Sequence, residues 1–246
     1  MRLRTLLGLA LLILAAAVAP ARADPLTPEQ KAAVEALIRD TIANHPEIVI
    51  DALKAAQQND RKDADAAARK AIAAQQSALL ADPSSPVGGN PKGDVTIVEF
   101  FDYRCPYCKE VEPSLERLLK EDGRLRIVYK EFPILGPASV YAARVALAAR
   151  AQGKYDEFHR TMMAVKGSID EDIVRRTASS VGIDMTKIGA TLDDEGISRI
   201  IKSNFSLAEA LDIDGTPAFI VGDALLPGAA DIDTLRQAVA KVRKGG

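Results

Sequence analysis

The chain has only two cysteines, and they stand three apart in Cys105-Pro106-Tyr107-Cys108. Three kinds of chemistry use such a pair. A zinc site needs about four ligands, but the remaining strong nitrogen ligands are His45 and His159, and neither has ligand spacing to the pair. Metal within one protomer is therefore not expected, although two thiolates suit Cu(I), a soft ion that prefers sulfur. A permanent structural disulfide would close a loop of two residues, which constrains the unfolded chain little. Reversible thiol–disulfide exchange is the use this spacing serves. An accessible, acidic thiolate attacks a disulfide, and a buried neighbour then resolves the mixed disulfide. That chemistry calls for no cofactor beyond the sulfurs.

Local sequence positions the pair. Val95 to Phe101 is an apolar, β-branched run that reads as a buried strand, and a helical pattern follows Cys105 at once. Pro106 then falls at the first helical position, where its missing N–H costs nothing. Free N–H groups and the helix dipole favour negative charge there, which predicts a lowered Cys105 pKa. Cys108 sits one turn further in. Glu99 interrupts the apolar strand. Buried, it would have a raised pKa and could exchange a proton with Cys108; as an edge or outward-facing acid it would do neither, and the pattern leaves both open. Thr216-Pro217 precedes a later strand, where a proline is confined to the strand's start and a cis bond is allowed.

The other elements follow from periodicity. The helix from Pro106 to Glu121 carries Val111, Leu115, Leu118 and Leu119, contains Pro113 and ends at Asp122-Gly123; Leu125 to Phe132 is the next strand. Strand, helix and strand in this order predict a parallel crossover. Four helices are expected at Tyr141–Ala151, Tyr155–Val165, Ile169–Val181 and Ile197–Leu211. Ala218–Val221 and Ala224–Leu226 flank a two-residue turn, Gly222-Asp223, and a last helix spans Asp231–Val242. Upstream, Thr27-Pro28-Glu29-Gln30 is a helix start with a capping box, and Asn44-His45-Pro46-Glu47 reads as another. Val34, Leu37, Ile38 and Ile42, then Ile48, Val49 and Leu53, form apolar stripes. A continuous helix from Glu47 to Leu80 would run roughly 50 Å. Residues 24–81 thus form a helical arm, 82–93 a linker of turn residues, and 94–246 the catalytic domain, with a helical insertion at about 137–211. The arm either docks within its own chain or meets copies of itself; its charged, alanine-rich stretch favours an oligomerisation stalk.

Composition is that of an ordinary globular chain, 48% hydrophobic and 27% charged. Residues 1–23 have a basic start, a short apolar run and Ala21-Arg22-Ala23, the pattern of a cleaved signal peptide, with an uncleaved membrane anchor as the alternative. Without Arg2, Arg4 and Arg22, 29 basic residues face 34 acidic ones. No basic patch or aromatic platform points to nucleic acid. Export would place the cysteines in an oxidising compartment, with the bacterial periplasm expected.

Val98-Glu-Phe-Phe-Asp-Tyr-Arg-Cys-Pro-Tyr-Cys-Lys109, the helical insertion and Gly215-Thr-Pro-Ala-Phe219 together resemble the DsbA-like branch of the thioredoxin superfamily. The resemblance covers Asp94 to Lys241. It implies an α/β thioredoxin fold with an inserted helical domain, preceded here by the N-terminal arm. It implies that Cys105 is the nucleophile, Cys108 the resolving thiol and Glu99 a buried proton-relay acid. Pro217 would be cis and face the disulfide, while Pro106, Tyr107 and Thr216 would meet the substrate. Tyr107 stands where strongly oxidising DsbA enzymes carry His, and Thr216 where they carry Val. Both departures point toward a shuffling or reducing enzyme. The arm, through Leu37-Ile-Arg-Asp and Asn44-His-Pro-Glu-Ile48, is similar to ScsC-type proteins linked to copper tolerance. This implies a homotrimeric disulfide isomerase acting on exported, disulfide-bearing clients and kept reduced by a membrane reductase of the DsbD or ScsB type. A monomeric dithiol oxidase and a Cu(I)-binding chaperone are the alternatives.

Overall fold

The computed structural model describes residues 25–189, 191–192 and 194–245. The expected signal peptide, residues 1–23, lies outside them. The chain divides into a unit that ends at Gln57 and a second that begins at Gln58.

The first unit is helical. α1, Pro28–Asn44, starts with the expected capping box between Thr27 and Gln30 and has no buried residue. α2, Glu47–Ala74, begins in this unit and runs on into the second. Asn44 does not cap α2. It is the last residue of α1, and its amide donates back to Asp40 at 3.0 Å. Val34, Leu37, Ile38, Ile42, Ile48, Val49 and Leu53 are all exposed.

The second unit is built on a five-stranded sheet in the order β1-β3-β2-β4-β5. The strands are β1 Val87–Gly89, β2 Val95–Phe101, β3 Leu125–Glu131, β4 Ala218–Val221 and β5 Ala224–Pro227. β2 and β3 pair in parallel, joined by α4, Pro106–Asp122, as the crossover pattern requires. Pro113 lies inside α4, and Gly123 ends it with φ 63. β2 also pairs antiparallel with β4, and Val221 faces Ala224 across the Gly222-Asp223 hairpin.

Alternation along the strands sorts side chains to two faces. On one, Val95, Ile97 and Phe101 of β2 meet Val111, Leu115 and Leu118 of α4, and Leu235 and Val239 of α10, Ile232–Gly245. The same core takes in the helical insertion: α5 Pro137–Ala149, α6 Tyr155–Ala164, α7 Glu171–Ser180 and α8 Met185–Gly189, with the start of α9, Glu195–Ala210. α8 is a five-residue helix that periodicity did not anticipate. On the other face, Val98, Phe100 and Ile220 pack with Leu207 and Leu211, and with Ile72 and Leu79.

That last contact corrects the expected boundaries. The long helix is not continuous: α2 stops at Ala74, and α3, Gln76–Leu80, follows after Gln75. Ile72 and Leu79 are apolar side chains with a sheet face available, so the end of the arm belongs to the core of the second unit. Nor is 82–93 a plain linker. It contains β1, which pairs antiparallel with β3, Val87 opposite Val128. Two glycines in three residues hid the strand, but Gly88 is needed where Tyr129 and Ile127 press close.

A buried cation secures this junction. Lys130 of β3, 1% exposed, donates to the Ala78 carbonyl at 2.8 Å, to Ser85 Oγ at 2.6 Å and to Asp82 at 3.3 Å. Partial burial opposes ionisation of Asp82, yet bonds from Ser84 and Ser85 and the Lys130 charge hold it down to about 2. Removing one partner of a buried pair strands the other. Lys130→Ala is expected to cost about 3 kcal/mol, read by denaturant unfolding; a change below measurement error would show that this anchor contributes nothing.

Candidate active site

β2 ends at Phe101, and a three-residue turn delivers Cys105 to the N-cap of α4, with Pro106 in the first turn as expected. Asp102 shapes that turn. Its carboxylate accepts the amides of Arg104 at 2.7 Å and Leu135 at 2.9 Å, and its carbonyl accepts the Cys105 amide at 3.0 Å. The sequence reading passed over Asp102, although a polar residue three before the first cysteine, directly after a buried strand, is a turn signal.

Both cysteines are free thiols. Cys105 Sγ lies 3.1 Å from the Thr216 carbonyl oxygen, to which it donates while protonated, and the Thr216–Pro217 peptide is cis. This brings together two segments 111 residues apart. Tyr107, between the cysteines, is 59% exposed. The Cys105 thiol is pulled down from 9.0 to about 5. The largest cause is the hydrogen bond from the Cys108 thiol, followed, against the opposition of burial, by the Thr216 side chain and the backbone N–H groups of Cys108 and Tyr107. The helix N-terminus therefore contributes as expected, but second to the partner sulfur. Cys108 shifts the opposite way: burial, the bond it gives Cys105 and the charge of Glu99 push its thiol far up. One sulfur is an anion at neutral pH, and the other keeps its proton until something removes it.

Glu99 is not an edge acid. It lies on the central strand between Tyr129 and Phe219, fully buried, and neither carboxylate oxygen has a hydrogen-bond partner. Burial first, then the nearby Glu112, Glu131 and Cys105, hold its carboxyl well above the usual carboxylate range. Three further groups were not anticipated. Glu112, one turn beyond Cys108, is buried and 3.5 Å from His159; its i+4 spacing from Cys108 was the available signal. His159, weighed in the sequence only as a metal ligand, is caged by Phe101, Tyr103, Tyr129 and Tyr155, with ring centroids 4.4–5.8 Å away. Lys109 donates to the carbonyls of Met162, Met163 and Val165 at 2.8, 3.3 and 2.9 Å, so an ammonium on α4 caps the end of α6. Burial pulls the Lys109 ammonium down to about 8. Among the described residues, no group of three or more His, Cys, Asp or Glu side chains is placed to hold a metal ion. The two sulfurs are the soft-metal donors of the site.

A parallel strand–helix–strand unit with a Cys-x-x-Cys at the helix N-terminus, facing a cis-proline, defines a thioredoxin-type fold with redox-competent sulfurs. The chain belongs to the DsbA-like thioredoxin family: residues 96–240 match the DSBA-like thioredoxin domain. Residues 30–62 match the N-terminal domain of the copper resistance protein ScsC. A thioredoxin-like oxidoreductase from Silicibacter pomeroyi is similar in structure, with 45% identity and a TM-score of 0.67, over 68% of this chain and 97% of that one. Proteus mirabilis ScsC in a transitional conformation is similar over 90% of this chain and all of that one, with 30% identity and a TM-score of 0.67. The thiol:disulfide interchange protein DsbA of Bordetella pertussis is 30% identical over 157 residues, 62% of this chain and 75% of that protein. The chain also matches the Na(+)/H(+) antiporter NhaA 3 of Salinispora tropica at 30% identity over 155 residues, and spans about a quarter of that protein's length.

Two outcomes follow from the site's electrostatics. Alkylation of Cys105 should show a titration midpoint near pH 5, measured by iodoacetamide trapping and mass spectrometry; a midpoint near 9 would contradict the geometry. Between those values the unfolded chain binds one more proton than the folded one, so this thiolate makes the reduced protein more stable as pH rises from 5 toward 9. Glu99 acts in reverse. Above its ordinary pKa the unfolded chain ionises it while the folded chain keeps the proton, so it lowers stability as pH rises. Glu99→Leu should raise stability at pH 7 by about 1–3 kcal/mol and slow disulfide turnover, a combination read from thermal melts and an insulin reduction assay.

Proposed function

We propose that this chain is an exported protein thiol–disulfide oxidoreductase that works as a disulfide isomerase or reductase, assembled through its N-terminal arm. The observation that carries this reading is the opposed acidity of two sulfurs one turn apart: Cys105 at about 5, and Cys108 pushed far above an ordinary thiol.

The reaction runs in two displacements. The Cys105 thiolate attacks one sulfur of a client disulfide; the client S–S bond breaks, a Cys105–client bond forms, and the other client sulfur leaves as a thiolate. Cys108 then gives up its proton, to Glu99 once that carboxyl has released its own to solvent, and attacks Cys105, releasing the client thiolate and forming Cys105–Cys108. Two electrons pass from the dithiol to the client. Isomerisation stops short of net transfer, because a second client thiolate displaces Cys105 first. Pro106 and Tyr107 on one side, and the cis Thr216–Pro217 loop on the other, line the approach to the sulfur.

Three observations favour shuffling over net oxidation. A Cys105 pKa of about 5 lies between the roughly 7 of thioredoxin and the roughly 3.5 of DsbA. Tyr107 brings no positive charge to the thiolate. The arm exposes an apolar stripe, and residues 30–62 match the ScsC N-terminal domain, which supports assembly into a homotrimer. Several active sites around one client hold it while its disulfides are retried. The periplasm is the compartment this chemistry suits, with a DsbD or ScsB-type membrane reductase restoring the dithiol. A second reading, Cu(I) holding by the two sulfurs, draws on the same ScsC match; tight Cu(I) binding without any thiol–disulfide exchange would favour it.

Charged substitutions at the exposed stripe test assembly in the full-length mature chain. Leu37→Glu with Ile48→Glu should convert a trimer to a monomer by light scattering. It should lower refolding of scrambled ribonuclease several-fold while leaving insulin reduction near its original rate. A wild-type monomer, or scrambled-substrate refolding untouched by loss of assembly, would defeat the isomerase reading.

A further inference from the structure

The end of the sheet that carries Cys105 also carries an apolar groove that the two displacements do not use. Phe132 directly follows β3, and its amide donates to the Phe101 carbonyl at 3.0 Å, so it stands level with the end of β2. Phe205 of α9 meets it edge to face, with ring centroids 4.8 Å apart. Asn204, the residue before Phe205, is buried and donates to the Glu131 carbonyl at 3.0 Å, which pins α9 to the end of β3. The two rings therefore form a fixed shelf. Phe132 is buried, but Phe205 is 39% exposed. With Glu209, Asp212, Ile213 and Asp214 they line a groove of about 430 Å³.

The rim of the groove is of one sign. Glu209, Asp212 and Asp214 are exposed, and among the described residues no cation lines the groove. Nor, among those residues, does any ion pair engage the three carboxylates. Glu209 lies in the last turn of α9, which holds no basic residue. The helix dipole favours a cation there and disfavours an acid. Neighbouring like charges repel as well. A cation brought from outside would relieve both, and an aromatic face attracts cations in its own right. The described residues include no group of three or more acids placed to hold a metal ion. A lysine or arginine side chain suits the groove better, since its alkyl stem covers apolar surface while its head stays among polar groups.

The loop that closes the groove is the one that presents Thr216. Ile213 is buried in the groove wall, three residues before Thr216, whose carbonyl oxygen lies 3.1 Å from Cys105 Sγ. Three residues of chain span at most about 11 Å. An extended client whose cysteine is at Cys105 reaches the groove with a residue three or four places away.

We propose that this groove is a specificity subsite for a lysine or arginine of the client, three or four residues from the cysteine that Cys105 attacks. The inference rests on the redox reading above. The alkyl stem lies on Phe132 and Phe205, and the cationic head meets Glu209, Asp212 and Asp214. These residues touch no reacting sulfur. They select which client disulfide is presented to it.

The test uses the full-length mature protein as its dithiol and short peptides with one cysteine, each in mixed disulfide with 2-mercaptoethanol. The dithiol gives two electrons, and the peptide thiol and 2-mercaptoethanol are released as Cys105–Cys108 forms. At low salt, arginine three or four residues from the cysteine should raise the second-order rate constant about tenfold over glutamate at the same place. Arginine placed about seven residues away lies beyond the groove and should give little gain. Glu209→Gln with Asp212→Asn should remove the preference; asparagine tolerates the left-handed φ of 56 at position 212. Phe205→Ala should slow the arginine peptide several-fold. Hydroxyethyl disulfide, too small to reach the groove, should be reduced by these variants at the wild-type rate. Equal rates for arginine and glutamate peptides in the wild-type protein, a comparison that needs no variant, would overturn the subsite. So would a gain indifferent to the position of the arginine, which would reflect net charge alone, or a gain that survives the double substitution. A change of mass by light scattering in Phe205→Ala would show that a second copy covers the groove, and would overturn it too. Failure of the wild-type protein to reduce any peptide or hydroxyethyl disulfide would instead remove the redox reading itself.

Discussion

The site depends on holding one sulfur as an anion beside another that resists ionisation. Cys105 receives the Cys108 thiol, the Thr216 side chain and two helix N–H groups, while Cys108 is buried beside Cys105 and the acid Glu99, with the Asp102 backbone as its one opposing partner. These shifts are two results of one arrangement, since the bond that stabilises the Cys105 thiolate also fixes the Cys108 proton. The fold supplies it by pairing β2 and β3 in parallel, which makes α4 begin beyond the C-terminal end of the central strand β2, where the Thr216–Pro217 loop leads into β4.

Around this pair the core is polar in a way that burial alone disfavours. Glu99, Glu112 and Glu131 share the sheet face against α4 with His159 and three tyrosines. Glu131 is well served, accepting from Tyr103 at 3.1 Å and Tyr155 at 2.9 Å. Glu99 is not. The contrast within one face separates a structural acid from one whose unpaired carboxyl destabilises the fold, the pattern expected where activity and stability compete.

Much of this was legible in the sequence. The strand Val95–Phe101 and the Gly222-Asp223 hairpin were recovered at their bounds, because β-branched runs and a two-residue glycine turn have few other uses. β1 was lost because Val87-Gly-Gly has the composition of a loop; only the close approach of Tyr129 explains its glycine. The break at Gln75 was invisible because nothing in an alanine-rich run signals that Ile72 and Leu79 will be claimed by a sheet face. At the site, the cysteines and Glu99 announced themselves by type and setting. Glu112 did not, since an acid on a helix reads as solvated until the partner helix α6, 47 positions on at His159, is known to cover it.

Lys109 has a mechanical consequence. Its ammonium is saturated by three carbonyls at the end of α6, and its stem grows from the residue directly after Cys108. The insertion cannot swing away from α4 without stranding a cation and three acceptors at once. The helical insertion and α4 are riveted at one point, and any load on the insertion is felt one peptide bond from the Cys108 thiol.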